Sequence, residues 1–168
     1  FNQVNFDNGT DSININIDEA NTNINYGHED VFNAYEQLPD VFKETIDNIN
    51  IVDNNTGLLG TDGYFNKLTE DTIYITDEPR GNEVESTIWH EAYHNYETAD
   101  SEGAAEIADA WDKAMETDNN FVTNYAEESK STSEDRCEAF MLWLKDSDAF
   151  KEDFPARAEV FDKYLGGK

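Results

Sequence analysis

Apolar and polar positions alternate strictly along Ile13-Asn14-Ile15-Asn16-Ile17, the period-two signature of a half-buried strand. The period then changes. Val31, Phe32, Tyr35 and Leu38 recur at helical spacing, and after Pro39 so do Val41, Phe42, Thr45, Ile46 and Ile49, which predicts two short helices. Asp, Asn and Gly crowd positions 53–63 and mark a loop. Gly63-Tyr64-Phe65-Asn66 and Thr72-Ile73-Tyr74-Ile75-Thr76 read as a β-hairpin, closed by a turn at 77–81. Helical periodicity returns from Asn82 to about Thr98. A second stretch, Glu102 to Glu116, sets Ala105, Ala108, Trp111 and Met115 on one side. Beyond a loop through Asn119, Asn120 and Tyr125, a third helix is expected from Glu134 to Lys145, and a last one ends at Gly166-Gly167. Strands first and helices after predict an α+β fold, a small strand sheet on a mainly helical body, as one domain over residues 1–168.

Composition narrows the function classes. The 168 residues carry 11 Lys+Arg against 38 Asp+Glu, a formal charge of −27. Such a surface repels phosphates, which excludes a nucleic-acid or anionic-membrane interface. No apolar run approaches the roughly 18 residues of a spanning helix, so membrane insertion is not expected. With 38% hydrophobic and 12% aromatic residues the chain is too apolar for a disordered acidic tail. Cys137 is the single cysteine, so neither an intrachain disulfide nor a cysteine-based zinc cluster can form. The acidic loop at 53–63 does not match the EF-hand ligand spacing. The chain opens on Phe1, which raises the expectation that a leader, propeptide or larger upstream region has been removed. The acidity itself serves either a solvated surface or attraction of a basic partner.

One motif carries chemistry. His90-Glu91-Ala92-Tyr93-His94 fits H-E-x-x-H. On a helix, i and i+4 share a face, so both imidazoles can reach one Zn²⁺, and the intervening Glu stands where it can act as general base. Helical phase agrees. Ile88, Trp89, Ala92, Tyr93 and Tyr96 form an apolar arc, and His90, Glu91 and His94 lie together on the adjoining face.

Two His leave a third protein ligand to find. Asp100 follows His94 by six residues, as in a longer H-E-x-x-H motif, but Glu97 stands where that motif needs Gly. His28 lies far upstream. Glu134 and Glu138 are four apart within the apolar stripe of Cys137, Met141, Leu142 and Leu144. A carboxylate there is costly unless a cation or a metal meets it. Lys145, on the same face, is the competing structural explanation.

The combination resembles the lethal-factor-like zinc metallopeptidases, the gluzincin group of the anthrax lethal factor catalytic domain and the secreted Pro-Pro endopeptidases. Three segments carry the resemblance: Gly63–Asn66 with Thr72–Ile75, Thr87–His94, and Tyr125-Ala126 with Glu134–Phe140. They lie within residues 63–140. The resemblance implies a zincin-type fold and one Zn²⁺ held by His90, His94 and Glu134. It implies Glu91 as general base, Glu138 as a carboxylate orienting a ligand His, and Tyr125 as hydrogen-bond donor to the oxyanion. It further implies Ile73, Tyr74 and Ile75 as the edge strand along which an extended substrate pairs. Asp135-Arg136 stands where the family tends to be apolar. Polymorphic toxin tails share a similar H-E-x-Y-H core. The expected activity is zinc-dependent endoproteolysis of a protein or peptide substrate by a metal-activated water. The resemblance also implies a secreted, bacterial, toxin-like setting and an inhibitor or immunity protein as further partner. Two rivals remain: an acidic binding or inhibitor module of the nucleic-acid-mimic type, and a zinc-binding fold without peptidase activity.

Overall fold

A computed structural model of the chain describes residues 2–18, 24–52, 63–65, 71–76, 83–99 and 101–166. Positions 53–62 of the loop expected at 53–63, Asn66, the turn at 77–81, Asp100 and Gly167 lie outside these residues; Gly63 begins a strand. Contacts gather the chain into two compact units, Phe1–Ala99 and Asp100–Lys168.

The first unit runs β1 (Asn2–Asp7), β2 (Ser12–Ile17), α1 (His28–Glu36), α2 (Asp40–Lys43), β3 (Asn48–Val52), β4 (Gly63–Phe65), β5 (Thr72–Thr76) and α3 (Val84–Ala99). Its strands form one five-stranded sheet in the order β1-β2-β3-β5-β4. β1 and β2 pair antiparallel, as do β4 and β5, the expected hairpin partners; β2–β3 and β3–β5 are parallel.

Alternation explains the two faces. Ile13, Ile15, Ile17, Ile49, Ile51, Ile73 and Ile75 are all buried, each at 2% exposure or less. Full burial of an isoleucine is worth about 1.5–3 kcal/mol, so this row dominates the unit's core. The intervening Asn14, Asn16, Asn48 and Asn50 are half-buried. Three of them pair across strands, Asn5 Nδ2 donating to Asn14 Oδ1 at 2.9 Å and Asn16 Nδ2 to Asn50 Oδ1 at 2.7 Å.

Two expectations are corrected. The helix expected to reach Ile49 stops at Lys43, and Asn48–Val52 is a strand. Ile49 and Ile51 repeat the alternation of Ile13–Ile17, and pairing beside β2 buries both, which helical phase would not. The order is also not strands before helices throughout. Parallel β2 and β3 need a crossover, and α1 and α2 supply it. The α+β class stands, because every described element of the second unit is a helix.

The second unit comprises α4 (Ser101–Asp118), α5 (Asn124–Ser129), α6 (Thr132–Lys145), α7 (Ser147–Asp153) and α8 (Pro155–Leu165). α4 packs on α8 and α6. Its buried face is Ala104, Ile107, Trp111 and Ala114. Of the expected stripe, Ala105 is exposed and Met115 half-buried, because Ile107, the most apolar residue, sets the phase. Phe161 centres an aromatic cluster, 4.9 Å from the Trp111 ring centroid and 5.4 Å from that of Trp143. α8 starts with Pro155 in its first turn and ends at Gly166, whose φ of 84° is a left-handed cap that glycine adopts without strain.

A buried ionic network crosses this unit. Arg157 is wholly buried. Its guanidinium donates to Asp118 Oδ2 (3.0 Å), Asp135 Oδ2 (2.8 Å), Asn120 O (2.7 Å) and Asn120 Oδ1 (3.2 Å). Asp135 also accepts from Trp111 Nε1 and from the backbone N–H of Val122, both at 2.9 Å. Asp118 accepts from the N–H groups of Ala156 and Arg157, capping α8. The acidic residue at 135 therefore serves the interior of this unit.

Candidate metal centre

The chemistry-bearing helix α3 is locked in rotation from three sides. Trp89 Nε1 donates to the Ala34 carbonyl of α1 at 2.9 Å. Asn95 Nδ2 donates to Thr45 Oγ1 at 2.7 Å and to Thr45 O at 3.2 Å. Phe42 stacks on Tyr96 with centroids 4.3 Å apart. Together with the packing of α3 on β4 and β5, these contacts fix which arc of the helix carries the motif.

On that arc the imidazoles of His90 and His94 approach each other, ring centroids 5.1 Å apart and planes at 67°. A zinc ion bound tetrahedrally through nitrogens at about 2.0–2.1 Å holds two imidazole centroids about 5 Å apart. The centroid separation is thus compatible with a shared ion. His90 is buried at 8% exposure and His94 half-buried, and Glu91 between them is 6% exposed. A carboxylate so withdrawn from water is stable where a cation or several donors face it. The expected apolar arc is buried, and α3 is buried on nearly all other sides as well, at Ser86, Thr87 and Asn95.

In the second unit, Glu134, Cys137 and Glu138 lie on α6, which Ser131 caps by accepting from the Glu134 N–H. Glu134 is half-buried; Cys137 and Glu138 are buried. Glu138 Oε1 accepts from the hydroxyl of Thr123 at 3.1 Å. That same oxygen of Thr123 accepts from Ala126 N and caps α5, the short helix that carries Tyr125. Tyr125 is 39% exposed and lies in the first turn of this helix; a loop was expected there. Thr123, which sequence reasoning missed, thus ties the Tyr125 helix to Glu138. The signal was available in Thr123 three residues ahead of Ala126, an N-cap residue at the start of a helix.

One expectation fails on topology. Ile73, Tyr74 and Ile75 are not an edge, since β5 is flanked by β3 on one side and β4 on the other. Among the described residues the sheet's edge on that side is β4, Gly63–Phe65, antiparallel to β5 and packed against α3. Ile73 and Ile75 instead point into the core. His28 sits at the start of α1, where Nε2 lies 3.0 Å from the Asn2 carbonyl and ties the helix to β1. No helix among the described residues is long and apolar enough to cross a membrane.

Compared with known proteins, the chain matches no family model, no curated protein and no solved structure.

Proposed function

We propose that this chain is a zinc-dependent endopeptidase of the lethal-factor-like, gluzincin type, with His90, His94 and Glu134 as metal ligands. The observation that carries the reading is the α3 pair: two imidazoles 5.1 Å apart with a buried glutamate between them in sequence. The ion, when bound, supplies a Lewis acid that polarises the scissile carbonyl and makes water a competent nucleophile near neutral pH. Glu91 accepts the proton of the attacking water on its carboxylate and returns it to the leaving amine nitrogen. Tyr125, 39% exposed, donates its hydroxyl to a hydrogen bond on the developing oxyanion. Glu138, held by Thr123, acts by orienting a ligand imidazole. An extended substrate adds as a strand along β4, the edge that packs beside α3, in place of β5. A secreted bacterial setting and an inhibitory partner follow from the resemblance alone.

The net charge of −27 favours one rival, an acidic binding module that acts by surface mimicry. Metal analysis separates the two. One zinc per chain, together with digestion of a peptide library that a chelator abolishes, is the expected result. A chain that purifies metal-free, refuses added zinc and cuts nothing belongs to the rival.

A further inference from the structure

We propose that Thr87 and Asn95 hold buried water against Glu91 and thereby position its carboxylate. Thr87, Glu91 and Asn95 are spaced i, i+4, i+8 on α3, each rotated about 40° from the last, so they form one ridge. Side chains on a helix lean toward its N-terminus. The Glu91 side chain therefore covers the turn of Thr87, and the Asn95 amide covers the turn of Glu91. All three are withdrawn from solvent, at 6%, 6% and 0% exposure.

The outer two members each keep a buried polar atom with no protein partner, Thr87 Oγ1 and Asn95 Oδ1. Threonine in a helix commonly spends its hydroxyl on the carbonyl one turn back. Thr87 does not. The Asn95 amide cannot be reversed to cure its own deficit, because its NH₂ faces two oxygens of Thr45. Unmet polar atoms at this depth are met by ordered water, which makes about three hydrogen bonds to such groups. A water on Thr87 Oγ1 has the Glu91 carboxylate as its next acceptor along the ridge. A water on Asn95 Oδ1 approaches the same carboxylate from the opposite turn. Bracketed in this way, the carboxylate is restrained in rotamer. Its role as proton acceptor rests on the peptidase reading above, whereas the water sites do not.

Thr87→Val is the test, because it exchanges the hydroxyl for a methyl of equal shape. If the hydroxyl anchors a water, the valine variant melts about 2–4 °C lower. Its kcat then falls about 10–100-fold with KM and zinc content unchanged. Thr87→Ser restores both, and a high-resolution crystal structure of the unaltered protein shows water on Thr87 Oγ1. A valine variant that melts at the same or a higher temperature, with no water in density, overturns the proposal whether or not the protein is a peptidase. A lowered melting point with unchanged kcat refutes the positioning role and leaves the water site. A chain without peptidase activity removes the role along with that reading, and the melting point and the density still decide the site.

Discussion

Replacing Arg157 by methionine removes the cation from a cluster that holds two carboxylates out of water. Asp135 is fully buried and the Asp118 side chain is 1% exposed, with the Arg157 side chain at 0%. Four hydrogen bonds leave with the guanidinium. The donors that stay behind are neutral. Asp135 keeps Trp111 Nε1 and the Val122 N–H, and Asp118 keeps the two N–H groups at the head of α8. Stripping one partner from a buried ion pair costs about 3–5 kcal/mol. The retained donors place Arg157→Met near the middle of that range, about 4 kcal/mol. A total stability of about 5–15 kcal/mol makes that a large share. With a urea m-value of about 1–3 kcal/mol/M, the midpoint falls by more than 1 M, read by tryptophan fluorescence, which Trp111 and Trp143 report from this unit. Asp135→Asn provides the second arm. An amide presents one oxygen, whereas Trp111, Val122 and Arg157 present three donors to two oxygens, so a near-isosteric change costs about 3 kcal/mol. A midpoint for Arg157→Met within about 0.3 M of the parent would show that the network is not what holds these helices.

Further outcomes are expected. Glu91→Gln retains zinc and loses about 10²–10⁴-fold in cleavage, whereas His90→Ala loses stoichiometric zinc; activity in the first or full metal content in the second contradicts the assigned roles. Thr123→Val removes the cap of α5 and the donor to Glu138 together, costing about 1–2 kcal/mol, while Thr123→Ser retains both; equal urea midpoints for the two variants would refute this. Stability also declines in alkali. Burial, then the Asp11 charge, pushes the Tyr35 hydroxyl up to about 12 from 10.0. Burial pulls the Lys43 ammonium down, but its bonds to Asp11 and Asp40 outweigh that and raise it above 10.5. Both groups hold their protons more tightly when folded. Their stabilisation is therefore complete below about pH 10 and is lost as pH rises through the folded values, about 2–3 kcal/mol of it from Tyr35. Tyr35→Phe should shed that share of the decline between pH 9 and 12, and a parent protein with a flat urea midpoint across that window would refute it.

Local periodicity determined much of this protein from the chain alone. The alternation at Ile13–Ile17, the β4–β5 pair, the α3 helix and the phase that puts His90 and His94 on one face all depend on neighbours within a few residues, so a pattern of period 2 or 3.6 suffices to reveal them. Ile49 shows the limit. It suits a helix by spacing with Ile46 and a strand by alternation with Ile51, and only the open place beside β2 decides for the strand. The edge of the sheet is likewise invisible in one dimension, since β5 becomes interior through partners 24 and 10 positions away, in the registers Asn48↔Thr72 and Tyr64↔Tyr74. Asp135 is the clearest case. The resemblance led one to expect an apolar residue there, and packing instead brings Arg157, 22 residues along the chain, to within 2.8 Å. Burial turns such a charge from tolerable to costly, and the partner that offsets the cost is chosen by tertiary contact, which no local pattern records.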